Sequence, residues 1–180
     1  MRLNPNSAEG RKRMLALIEE IEEQTDRGVA IVGAAWVEEA MTAAIESSLH
    51  SDNKAWSRLF SGNGPLSTFS AKIDLCSLLG LVSATIKSDL HIIREIRNEF
   101  AHQIVHRFEH TKLSFVSPHI NDKCKALKCI AHEDILLSRT TFVRACATLS
   151  SDFELLIYAG NKLPDLGQVI TKIEMPSQAS

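Results

Sequence analysis

The spacing of apolar residues constrains this chain more than any other feature. Over most of its length they recur every three or four residues, and runs alternating apolar with polar are nearly absent. That period stacks side chains on one face of an α-helix and scatters them over both faces of a strand. It predicts an all-α protein, a single bundle of about six or seven helices. At 180 residues the chain can bury about 70% of its unfolded surface, so a core can form without metal or disulfide support. No repeat, low-complexity tract or internal linker interrupts the pattern, which makes 1–180 one domain, with a tail over 165–180 that carries only a weak helical signal.

The elements can be placed individually. Met14, Leu17, Ile18 and Ile21 form the inner stripe of a first helix from Arg11 to about Asp26, with Gly28 expected to interrupt it. A second, central helix over about Val29 to Leu49 carries Val32, Trp36, Val37, Ala40, Met41, Ala44, Ile45 and Leu49, while Gly33, Ala34 and Ala35 permit close approach of a neighbour. A short helix covers Asn53 to Phe60, and Ser61-Gly62-Asn63-Gly64-Pro65 is the clearest loop. Ser67 or Thr68 caps a helix ending near Leu79 and Gly80, through Phe69, Ile73 and Cys76. A long helix from about Thr85 to His106 is expected to bury Ile92, Ile96, Phe100 and Ile104. Phe108 to Val116 reads as a loop. Ser117-Pro118 supplies a capping hydroxyl and a proline at the first helical position, ahead of Ile120, Cys124, Leu127 and Ile130 or Ala131. The last long helix runs from Ser138 to Tyr158 and ends at Gly160 and Pro164.

Twenty Lys plus Arg against 22 Asp plus Glu give a net charge of −2, so no global positive field draws the chain to nucleic acid or acidic lipid. Cys76, Cys124, Cys129 and Cys146 fall inside helical segments without paired close spacing and read as reduced, buried thiols. The first 14 residues contain Arg11, Lys12 and Arg13 but no apolar run of the kind a secretory signal needs. The longest apolar or glycine stretch, Gly28 to Val37, is far short of the roughly 20 residues that span a bilayer. These features predict a soluble cytoplasmic protein without membrane partners.

Functional side chains concentrate in the long helix, in Arg94-Glu95-Ile96-Arg97-Asn98-Glu99-Phe100-Ala101-His102. With Phe100 in the core, His102 lies roughly 200° around the helix and Asn98 one turn below it, so both face outward. Arg97 and His102 are separated by roughly 7.5 Å of rise and 140° of rotation, and direct contact would need a bent guanidinium or a second copy of the helix. An Arg, an amide and a His can bind phosphate and move protons without metal, because Arg offers a planar donor fork and His titrates near neutrality. The same residues also suit a solvated ion-pair lattice at a helix end. His102, His106 and His110 recur every four residues, but no further ligand set accompanies them, and neither metal nor cofactor is expected. The Gly62-Asn63-Gly64-Pro65 loop lacks the strand and the Gly-Lys-Ser/Thr of a phosphate loop and reads as a tight turn between helices.

Two resemblances follow from these segments. Leu59 to Ile73, then Leu79-Gly80-Leu81-Val82, then Ile93 to His102, continued by Phe115, Ile120, Cys124 and Leu127, resemble the mannitol operon repressor family over about Val29 to Tyr158. That resemblance implies an all-helical domain and a bacterial regulatory role. The long helix shows no basic recognition face in its charge count, since Lys87, Arg94, Arg97 and Arg107 are offset by Asp89, Glu95, Glu99 and Glu109. The expectation is therefore a transcriptional regulator that works through protein contacts, with a protein partner, a homodimer as a further arrangement, and no specific DNA binding alone. Its interaction residues would be Arg94, Arg97, Asn98 and His102. Locally, Arg97-Asn98-Glu99-Phe100-Ala101-His102 is similar to the Arg, polar residue and His motif of HEPN-domain ribonucleases. This second resemblance implies an alternative, a metal-independent endoribonuclease in which His102 acts in attack by the RNA 2′-hydroxyl, Arg97 stabilises the developing charge and Asn98 orients the groups.

Overall fold

Helix α1 (Ala8–Glu22) begins where the Ser7 hydroxyl accepts from the Gly10 amide. Three residues beyond its end, the Thr25 hydroxyl accepts from the Gly28 amide and starts α2 (Asp26–Ser48). Gly28 therefore lies in the first turn of α2 and does not interrupt a helix, because the capping threonine precedes it. The computed structural model describes residues 4–102, 113–130 and 137–160. Within them follow α3 (Asn53–Phe60), α4 (Phe69–Leu78), α5 (Ala84–His102), α6 (Pro118–Lys125) and α7 (Ser138–Tyr158). The described residues contain seven helices and no strand, an all-α bundle.

The bundle is built around α2, which packs most extensively on α7 and also touches α1, α4 and α5. Gly33 explains the close approach: a Cβ there would stand 3.1 Å from the Phe142 ring and 3.2 Å from the Cys146 sulfur. Val29, Val37, Met41 and Ile45 of α2 meet Phe142, Val143, Leu149 and Phe153 of α7 in one continuous core. Alone among the described helices, α2 is long and apolar enough to cross a membrane, and in the bundle half of that apolar stretch is buried. All four cysteines are free and buried. Burial pushes the Cys76 and Cys124 thiols up to about 12, so they stay protonated and unreactive at neutral pH.

Tight turns set the register between helices. In the loop after α3, Gly62 has a positive φ of 58°, and Gly64 sits where a Cβ would fall 2.3 Å from the Leu59 carbonyl oxygen. The Leu66 amide donates to that same carbonyl, so the loop folds back on the helix it leaves. Ser117 does not cap α6: its hydroxyl accepts from the Ser114 amide instead, and the proline at the first helical position removes a donor that would otherwise need a partner. Arg139 at the start of α7 pairs with Asp26 and donates to the carbonyls of Glu22 and Gln24, locking the α1–α2 corner to α7.

Candidate functional site

Helix α5 has one apolar face, and its members fix where every other side chain points. Ile86, Leu90, Ile93, Ile96 and Phe100 are buried. Ile93, not Ile92, belongs to the core stripe; Ile92 is half-buried, because the stripe follows the 3.6-residue period and not a strict four-residue step. Ile104, His106 and His110 lie outside the described residues, and so does the proposed extension of the helix past His102. Phe100 closes the stripe against Phe115, 5.1 Å between ring centroids, and Phe115 in turn meets Phe142 at 5.3 Å. The Arg27 guanidinium donates to the Ala101 carbonyl and satisfies one of the open acceptors at the end of α5.

Beside this stripe stand Arg94, Arg97 and Asn98, all half-buried, with His102 exposed beyond them. Arg97 and Asn98 are brought together: the Arg97 guanidinium donates to the Asn98 amide oxygen at 2.9 Å. Arg97 also lies 3.9 Å from a Glu38 oxygen on α2, and the other Glu38 oxygen accepts from Lys72 on α4 at 2.8 Å. One carboxylate thus serves two cations and ties three helices. His102 is exposed at the end of α5 and is not joined to Arg97 or Asn98 by any bond among the described residues. The Arg97 guanidinium is turned toward Glu38 of α2. No group of His, Cys, Asp and Glu suited to a metal occurs among the described residues.

Glu95 and Glu99 have different partners. Glu95 pairs with Lys123 of α6, while Glu99 receives His119 at 2.9 Å and Lys123 at 3.6 Å. The Lys123 hydrogen bond holds the Glu95 carboxyl below the usual range, and the same contact raises Lys123. On the α4 side, Lys87 pairs with Asp74 at 2.7 Å; that bond, with the nearby charges of His91 and Arg94, lowers the Asp74 carboxyl. Arg94 has no carboxylate within ion-pair distance among the described residues, and its Nε is buried without an acceptor.

Asp89 was not singled out by the sequence pattern. It is 1% exposed, and its Oδ2 accepts from the amides of Lys128 at 2.9 Å and Cys129 at 2.6 Å, anchoring the turn after α6 to α5. Burial raises its carboxyl above the usual range, and the two amide bonds counter part of that rise. Its place on the apolar stripe, between Ile86 and Ile93, was the available signal. A cavity of about 280 Å³ separates the end of α2 from α3, lined by Leu49, His50, Trp56 and Phe60, with the Trp56 and Phe60 rings stacked 3.8 Å apart. It lies apart from the α5 residues.

No family model matches this chain, and no curated protein matches it. Among solved structures, it is similar to a chain of the X-ray structure of the MtlR–HPr complex from Escherichia coli, with a TM-score of 0.64 and 19% identity, over 79% of this chain and 98% of that one. The seven-helix arrangement around α2 is therefore a fold shared with that protein.

Proposed function

We propose that this chain is a noncatalytic, MtlR-like regulator, cytoplasmic and active in transcriptional control through protein–protein contacts, with the solvent face of α5 around Arg94, Arg97, Asn98 and His102 as its contact surface. The observation carrying this reading is the fold shared with a chain of the MtlR–HPr complex over nearly that chain's whole length. HPr is accordingly the first partner to test. The chemistry of the site agrees with this reading: Arg97 donates to Asn98 and lies beside Glu38, and no bond among the described residues joins it to His102.

The ribonuclease alternative is retained because Asn98 and His102 do share the outward side of α5. It requires Arg97 to exchange Glu38 for a phosphate. Calorimetric titration with HPr and metal-free incubation with RNA separate the two readings. The regulatory reading expects saturable HPr binding and intact RNA. Cleavage to cyclic-phosphate ends, lost in His102→Ala, would establish the nuclease instead.

A further inference from the structure

Two glutamates stand side by side on α2, and the bundle treats them differently. No charged side chain occurs from Gly28 to Val37, so Glu38 and Glu39 are the first acids after the apolar stretch. Successive residues are turned about 100° apart around a helix. Glu39 is exposed, while Glu38 is half-buried and faces Lys72 of α4 and Arg97 of α5. A carboxylate withdrawn from water needs a partner. Lys72 supplies one at 2.8 Å, and the side chains of Lys72 and Glu38 are only 12% and 19% exposed.

That pair is complete without Arg97. The Arg97 Nη2 nevertheless stands 3.9 Å from the second Glu38 oxygen, while its Nη1 donates to the Asn98 amide oxygen at 2.9 Å. So long a contact, on a side chain 38% exposed, adds little to stability. Its effect is on direction: with an acceptor facing each terminal nitrogen, the planar guanidinium is held in one orientation. Freezing a long side chain at the moment of binding costs a factor of about two to ten in affinity. A guanidinium ordered beforehand avoids part of that loss, whichever acceptor the partner brings.

We propose that Glu38 is a positioning residue of the contact surface: anchored by Lys72, it sets the orientation of the Arg97 guanidinium that a protein partner meets. The inference rests on the contact-surface reading above and adds to it a residue of α2 that acts through Arg97.

The test is a double-mutant cycle on the full chain, read by calorimetric titration with HPr, together with a measurement that needs no partner. Glu38→Gln keeps the side chain's length, and its amide oxygen can still accept from Lys72. It should weaken HPr binding by about two- to tenfold. In an Arg97→Ala background the same change should have less than about a 1.5-fold effect, because the residue it acts through is gone. Lys72→Met leaves Glu38 facing Arg97 and should keep binding within about twofold of wild type. Glu38→Asp, which keeps a charge that the flexible Lys72 can follow but withdraws it from Arg97, is the milder second variant, and circular dichroism checks that each variant folds. In the free protein, ¹⁵N relaxation should show Arg97 Nε more mobile in Glu38→Gln than in wild type, with Arg94 Nε unchanged as the internal reference. Equal Arg97 mobility in the two proteins, an equal effect of Glu38→Gln with and without Arg97, or a loss in Lys72→Met as large as in Glu38→Gln would each overturn the proposal. Failure of wild type to bind HPr would instead overturn the regulatory reading, and the relaxation comparison would still decide whether Glu38 orders Arg97.

Discussion

The inward and outward faces of α5 treat the same residue class in opposite ways. Asp89 on the inward face is desolvated, and its carboxyl is raised despite two backbone amide donors; Glu95 on the outward face keeps water, gains Lys123, and is lowered. A carboxylate in the core acts as a rigid peg whose charge costs stability, while one at the surface is a weak and replaceable partner. The same division separates the residues that hold the bundle from those that stay in contact with water.

The sharpest way to break this comparison is to empty the inward face. Phe100→Ala removes a ring packed on Phe115 and should lower stability by about 3–5 kcal/mol in chemical denaturation. Loss of less than about 1 kcal/mol would mean that the face is not core.

A half-buried carboxylate on α7, with one oxygen shut off from water, sharpens it with pH. Burial raises Asp152 to about 6, and its Oδ2 has no hydrogen-bond partner. Since this folded-state value lies above the unfolded one, the folded protein binds the extra proton, and stability from this group is present at low pH and lost as pH rises through about 4 to 6. Asp152→Asn should therefore raise stability at pH 7 by on the order of 2 kcal/mol and change it little near pH 4. Equal effects at both pH values would remove burial as the cause.

The surface counterpart has the opposite sign and a smaller size. Glu95 is lowered by Lys123, so its contribution is present at neutral pH and fades as pH falls through the carboxylate range. With Glu95 45% exposed at the side chain, Glu95→Gln should cost about 0.5 kcal/mol or less at pH 7, read from the shift in denaturation midpoint.

The helical class and the placement of α5 were legible in the sequence because both rest on local periodicity. Ile96 and Phe100 are core as the spacing predicts, whereas Ile92 yields its place to Ile93: the two isoleucines lie four and three residues before Ile96, both spacings suit a helix, and only packing against the bundle chooses between them. Charge segregation was not legible. Asp89 counted as a surface acid until the Lys128 and Cys129 amides, some 40 positions later, came to meet it. Glu38 was invisible for the same reason, since its role depends on Lys72 and Arg97 from two other helices. Residues whose function comes from long-range neighbours carry no local pattern.

The most direct test of this division is one variant measured twice. Arg97→Ala/His102→Ala removes an exposed imidazole and a half-buried guanidinium whose contact with Glu38 is long, and Lys72 still holds Glu38, so the unfolding midpoint should stay within the equivalent of about 1 kcal/mol of wild type. In calorimetric titration with HPr, its affinity should fall at least about tenfold. Unfolding of the variant, or HPr binding of undiminished strength, would contradict the assignment of fold to one face of α5 and contact to the other.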